Sequence, residues 1–137
     1  MSGNPTAIAP ILMVSDIAAS IAYWRDKVGF EAETFEAAPG FAIMRRGRAA
    51  LMLQQTDPEA TITPNWHLRE KTSNVFIWVD DARALYEELV GRGAIIDWEL
   101  YEAPYGALEF GIQDLDDQDI AFSQLLRRGL EKGEDRS

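Results

Sequence analysis

The sequence predicts an α+β protein built from two copies of one βαβββ unit. Three observations carry that reading. First, a short apolar run, an acidic cap, an amphipathic helical stretch and a glycine follow one another twice. Second, Val14-Ser15-Asp16 matches Val79-Asp80-Asp81 at an offset of 65 residues, and Glu36-Ala37-Ala38-Pro39 echoes Glu102-Ala103-Pro104. Third, each helical stretch is followed by short strand-type runs parted by turn residues. A repeat of this length marks one duplicated supersecondary unit, neither copy of which buries its sheet alone.

Each element has a local cause. Ile11 to Val14 is an apolar run of strand type, and Ser15 and Asp16 supply oxygens to cap the orphan amides of a helix. Ile17, Ile21, Trp24 and Val28 then recur at helical spacing, which places Trp24 in the core, and Gly29 takes the left-handed position that ends the helix. Phe30 to Phe35 reads as a strand, Pro39-Gly40 as a turn, Phe41 to Arg45 as a strand, Arg46-Gly47 as a turn and Ala49 to Gln54 as a strand. In the second copy Val75 to Val79 is a strand. Asp80 and Asp81 cap a helix with apolar face Ala82, Leu85, Tyr86, Leu89 and Val90, closed by Gly91 and Gly93. Strands follow over Ala94 to Trp98, Leu108 to Ile112 and Asp119 to Gln124, with turns at Ala103 to Gly106 and Asp114 to Gln118. The units therefore run over 7–55 and 74–126, joined by a linker at 56–73 and followed by a charged, flexible tail at 127–137. The linker exceeds the roughly 12–15 residues usual for a structureless loop, which makes it a lid or a mobile connection. Trp66 in its middle favours a segment that docks.

Composition narrows the classes of function. Cysteine is absent, which removes disulfides, thiolate nucleophiles and sulfur-based metal sites. No apolar run approaches the roughly 20 residues that span a bilayer, and the N-terminus lacks the pattern of a secretory signal, so a cytoplasmic protein is expected. Net charge is −10, and it is uneven. Residues 1–72 carry seven Lys/Arg against eight Asp/Glu, whereas residues 73–137 carry six against fifteen. Such a surface repels nucleic acid and anionic lipid, and serves either solubility or the attraction of a cationic ligand. Glycine-rich phosphate loops and G-x-S-x-G are missing. The single histidine, His67, lies in the linker without ligand spacing around it and reads as a surface residue.

PILMVSDIAASIAYWRDKVGF, VFIWVDDARALYEELVGRGA and APYGALEFGIQDLDDQDIAF together resemble the vicinal-oxygen-chelate superfamily of glyoxalases, extradiol dioxygenases and antibiotic-resistance proteins. The resemblance spans Pro10 to Gln124 and is nearest to the bleomycin-resistance branch, through AYWRDKVGF and the Pro104-Tyr105-Gly106 turn. It implies curled mixed sheets around a cavity, completed in a homodimer. One departure is Asp117, where the family's last turn usually has a glycine.

Metal-dependent members hold an ion through His, Glu or Gln on four strands. The matching positions here are Ala9, Met52, Asn74 and Ala121. Two methyls, a thioether and one amide are poor ligands for a hard or borderline cation, so no metal or other cofactor is expected and catalysis is disfavoured. Strand alternation turns Asn74, Phe76 and Trp78 to one face, with Ala121, Asp119 and Ser123. Phe76 and Trp78 then either line a pocket or fill the core. By resemblance Tyr105 stacks on a flat ligand, and Phe41 and Phe35 flank the pocket mouth. Glu99, Glu102, Glu109 and Asp119 are acidic neighbours able to receive a cation. The expected ligand site is Phe35, Phe41, Trp66, Phe76, Trp78, Tyr105, Glu109 and Asp119. The expected function is binding of an aromatic, cationic small molecule, with sequestration of a bleomycin-type antibiotic as the special case. The alternative is a metal-dependent glyoxalase- or dioxygenase-type enzyme of the same superfamily.

Overall fold

The computed structural model describes residues 3–126. The expected tail at 127–137 lies outside the described residues. The chain divides into two units between Ile62 and Thr63. The first contains β1 (Ile11–Val14), α1 (Ile17–Asp26), β2 (Glu31–Thr34), β3 (Phe41–Arg46) and β4 (Ala49–Gln55). The second contains α2 (Asn65–Leu68), β5 (Val75–Trp78), α3 (Ala82–Arg92), β6 (Ile95–Ala103), β7 (Ala107–Gln113) and β8 (Asp119–Leu125).

Each unit forms a four-stranded mixed sheet, in the order β1-β4-β3-β2 in one and β5-β8-β7-β6 in the other. The first strand lies parallel to the last, and the remaining pairs are antiparallel. The duplication extends to hydrogen bonding. Asp16 Oδ1 accepts from the Ala19 amide at 3.0 Å, and Asp81 Oδ1 from the Ala84 amide at 3.0 Å. The first helical amide is taken in each unit by a glutamine of the last strand, Ile17 by Gln55 and Ala82 by Gln124, both at 2.9 Å. Two of the orphan donors at each helix start are thereby satisfied, and each helix is tied to its sheet.

Alternation along the strands sets the cores. In the first unit Leu12, Val14, Ala42, Met44, Leu51 and Leu53 are buried, as is Trp24, whose ring meets Phe30 edge-on at 5.1 Å. In the second, Phe110 stacks on Phe122 at 5.1 Å and meets Tyr86 of α3 at 5.2 Å. Gly29 and Gly93 both adopt positive φ, at 78° and 85°, where the chain leaves each helix. Two helix details differ from expectation. α3 runs straight through Gly91 and closes only at Gly93, where a left-handed residue allows amide bonds back to Leu89 and Val90. Val90 is exposed, so the buried stripe is narrower than the apolar pattern suggests.

Two larger differences shape the site. β6 does not stop at Trp98 but continues to Ala103, with register shifts between Ile96 and Trp98 and between Trp98 and Tyr101. The segment read as linker holds α2, and from Thr63 onward it belongs to the second unit. The Asn65 amide donates to Asn74 Oδ1 at 2.9 Å, Asn65 Nδ2 to the Ser73 carbonyl at 3.1 Å, and Trp66 Nε1 to the Asp117 carbonyl at 2.6 Å. Among the described residues, no helix is long and apolar enough to cross a membrane.

Candidate functional site

The helix-free face of the second sheet carries the polar side chains. Pairing arranges them in rows across the strands. Gln113 lies opposite Asp119; Trp98, Gly111, Ala121 and Phe76 form the next row; Tyr101, Glu109, Ser123 and Trp78 form the one after. A regular strand would turn every second side chain to the other face. The two irregularities in β6 break that alternation, and Asp97, Trp98, Glu99 and Tyr101 all face one cleft.

Trp98 is the floor of that cleft, and Gly111 is the reason it can lie there. A Cβ at Gly111 would stand 2.2 Å from Cζ3, 2.3 Å from Cη2 and 2.4 Å from Cε3 of the indole. Glycine removes that obstacle and lets the ring lie directly on backbone. The cleft has a volume of about 600 Å³, within the range of small-molecule sites, and Trp66, Lys71, Gln113, Glu109 and Asp119 complete its lining.

Its electrostatics are negative. Asp97, Glu99, Glu109 and Asp119 face one ammonium group, that of Lys71. Asp119 Oδ1 accepts from Gln113 Nε2 at 2.9 Å. Partial burial, and then the charge and hydrogen bond of Asp119, push the Asp97 carboxyl above its ordinary range. Glu109 Oε1 accepts from the Tyr105 hydroxyl, which also lies 3.4 Å from Ser123 Oγ. Burial and Glu109 raise both Tyr101 and Tyr105, so the phenols remain protonated donors at neutral pH.

The β7–β8 turn holds the cleft's rim. Asp114 Oδ1 accepts from the amides of Asp116 and Gln118, and Oδ2 from Gln118 Nε2, all at 2.9 Å. Burial nevertheless pushes the Asp114 carboxyl up to about 6, because desolvation outweighs those donors. Asp117 adopts φ 62°, the left-handed region, so the turn expected at Asp114 to Gln118 forms with an aspartate in that place. Its carbonyl anchors Trp66 at the cleft.

Of the residues expected from sequence, Trp66, Glu109 and Asp119 line the cleft, and Tyr105 touches it through Glu109. Phe76 and Trp78 lie on the same sheet face, in edge-to-face contact at 4.9 Å. They are 44% and 57% exposed, so they do not fill the core of their unit. Phe35 and Phe41 belong to the first unit, flanking its β2–β3 turn with ring centroids 5.9 Å apart. Glu99 lines the cleft, whereas Glu102 lies opposite Leu108, in a different row. His67 is exposed, its ring edge-on to Trp66 at 4.2 Å. Sequence reasoning passed over Asp97, Trp98, Tyr101, Gln113 and Lys71. One signal was present: a glycine between Phe110 and Ile112 in a strand interior marks close approach of another group.

The four positions that the resemblance sets against metal ligands do not carry side chains suited to a divalent ion. Ala9 and Ala121 offer methyls, and Met52 a thioether. The Asn74 amide oxygen is already taken by the Asn65 amide, and its Nδ2 donates to Gln118 Oε1 at 3.3 Å. Among the described residues no three His, Cys, Asp or Glu side chains group as a metal centre.

The chain is thus two tandem βαβββ units, the second bearing an acidic and aromatic cleft. The sequence profile of the Glyoxalase/Bleomycin resistance protein/Dioxygenase superfamily matches residues 6–122, and the chain belongs to that family. Among solved structures it is similar to TioX from Micromonospora sp. ML1, with 20% identity over 87% of this chain and 95% of that one, TM-score 0.66. It is also similar to the bleomycin-binding protein of Streptomyces verticillus complexed with copper(II)-bleomycin, with 25% identity over 91% and 98%, TM-score 0.63. A lactoylglutathione lyase from Agrobacterium tumefaciens shares the fold at 19% identity over 89% and 96%, TM-score 0.61. No curated protein sequence matches.

Proposed function

We propose that the chain is a non-catalytic small-molecule binding protein. Its second unit takes a planar, cationic ligand, and a bleomycin-type antibiotic held out of action is the best-motivated example. The observation that carries this reading is the cleft itself: an indole laid flat on a glycine, edged by four carboxylates against one ammonium. A flat ring over Trp98 gains stacking and dispersion, and a cationic group gains from the carboxylates in a partly dry site. The likeness to a bleomycin-binding protein at 25% identity adds support. The reading includes a homodimer, for which exposed Ile11 and Met13 on the first sheet offer an apolar patch.

Titration with bleomycin and copper(II)-bleomycin by calorimetry tests the antibiotic, with Trp98→Ala as the control. Micromolar or tighter binding that weakens at least tenfold in the variant is expected. Millimolar affinity for bleomycin together with tight, Trp98-dependent binding of ethidium or thioflavin T would remove the drug and keep the planar-cation site. Failure of all of them would overturn the reading. Sedimentation velocity checks the dimer, and a monomer at micromolar concentration removes that part.

A further inference from the structure

The cleft's negative charge is concentrated at two stations. Asp119 is 5% exposed and Glu109 8%, yet both border open space. Among the described residues neither forms an ion pair with a Lys or Arg. Neutral donors reach them, Gln113 Nε2 on Asp119 and the Tyr105 and Tyr101 hydroxyls on Glu109, and the Asp97 carboxyl is hydrogen-bonded to Asp119. An ionised carboxylate taken out of water without a counter-charge is costly, and neutral donors offset only part of that. Each group also keeps acceptor positions to spare, since a carboxylate has about four lone-pair sites.

The two stations are held apart by the sheet. Asp119 lies level with Gln113 and Glu109 level with Ser123, four residues further along both β7 and β8. At 3.3–3.4 Å per residue the separation is about 13 Å. The row between them contains Trp98 on Gly111. Asp97 adds a second carboxyl at the Asp119 end.

Resting on the planar-cation reading above, we infer that the cleft is built for a planar dication. Its aromatic plate lies over Trp98, one amidinium- or guanidinium-type group reaches Asp119 and Asp97, and the other reaches Glu109. Such groups are flat and present paired N–H donors that match a carboxylate two to one. A monocation would leave one buried carboxylate uncompensated, whereas a ligand charged at both ends serves both stations.

The test uses DAPI, a flat diamidine, and its mono-amidine analogue, titrated against wild type, Asp119→Asn, Glu109→Gln and Asp97→Asn. Wild type is expected to bind DAPI at least tenfold more tightly than the mono-amidine. Asp119→Asn and Glu109→Gln should each erase that preference, and Asp97→Asn should weaken DAPI several-fold. Far-ultraviolet circular dichroism confirms folding, and the exposed Asp97 position keeps the test alive if a buried variant fails to fold. Equal affinity for both probes, with equal response to each variant, would overturn the two-station inference and leave the planar-cation cleft intact. Failure of both probes together with bleomycin, ethidium and thioflavin T would take the underlying reading with it.

Discussion

Replacing Gly111 by alanine drives a methyl group into the plane of Trp98. Gly111 is not at positive φ, so alanine suits its backbone and the substitution isolates a steric effect. The new Cβ would sit 2.2–2.4 Å from three indole carbons, whereas carbon atoms rest at about 3.5–4.0 Å. The ring must therefore lift by more than an ångström or swing out of the cleft, and the cost of such overpacking is about 1–3 kcal/mol. On backbone grounds alone the change would help, because glycine inside a strand is worse than alanine by about 0.5–1 kcal/mol. The sign of the effect thus depends on Trp98. In wild type, Gly111→Ala should lower the urea midpoint and weaken planar cations at least tenfold. In a Trp98→Ala background the same change should be neutral or stabilising. A double-mutant cycle read from urea unfolding should return a coupling equal to that overpacking cost, about 1–3 kcal/mol. If Gly111→Ala leaves wild-type stability within about 0.5 kcal/mol and ligand affinity within twofold, the stacked arrangement and the argument from it are refuted.

Three further outcomes follow from the turn at the cleft's rim. Asp114 is raised to about 6 by burial, above its unfolded value, so its contribution to stability is complete below about pH 4 and is lost as pH rises through 6. Wild type should thus gain up to about 3 kcal/mol over Asp114→Asn on going from pH 7.5 to 4, and parallel pH profiles of urea stability would contradict this. Asp117→Gly relieves the left-handed residue at φ 62° and should stabilise by about 0.5–1 kcal/mol in thermal unfolding; a lowered midpoint would show that the aspartate serves the turn in another way. Trp66→Phe removes the indole bond to the Asp117 carbonyl. Amide hydrogen exchange across 63–73 should then speed up with little change in α3, and unchanged exchange would show that the segment is held by other contacts.

The legible part of the protein was the part controlled by neighbours in the chain. Asp16 and Asp81 cap helices because a short carboxylate next to an apolar period reaches the orphan amides three residues on. Gly29 and Gly93 turn left-handed because their φ is open to them, and Asp117 does so because a short polar side chain tolerates that region better than most. The βαβββ order, the duplication and the family resemblance rest on such local signals, as do Glu109 and Asp119 as acidic candidates. Asp97 and Trp98 were hidden, since period-two reasoning assigns adjacent residues to opposite faces. Only pairing of a longer β6 against β7 creates the shifts that bring them round. Trp66 was visible as an aromatic that wants to dock, but its anchor is a carbonyl 51 residues away, and no local rule connects the two. Caps, turns and periods were therefore set by the sequence alone, because they are settled within a few bonds. The cleft was decided by tertiary structure, because strand register and the space above one glycine are properties of partners brought together from afar.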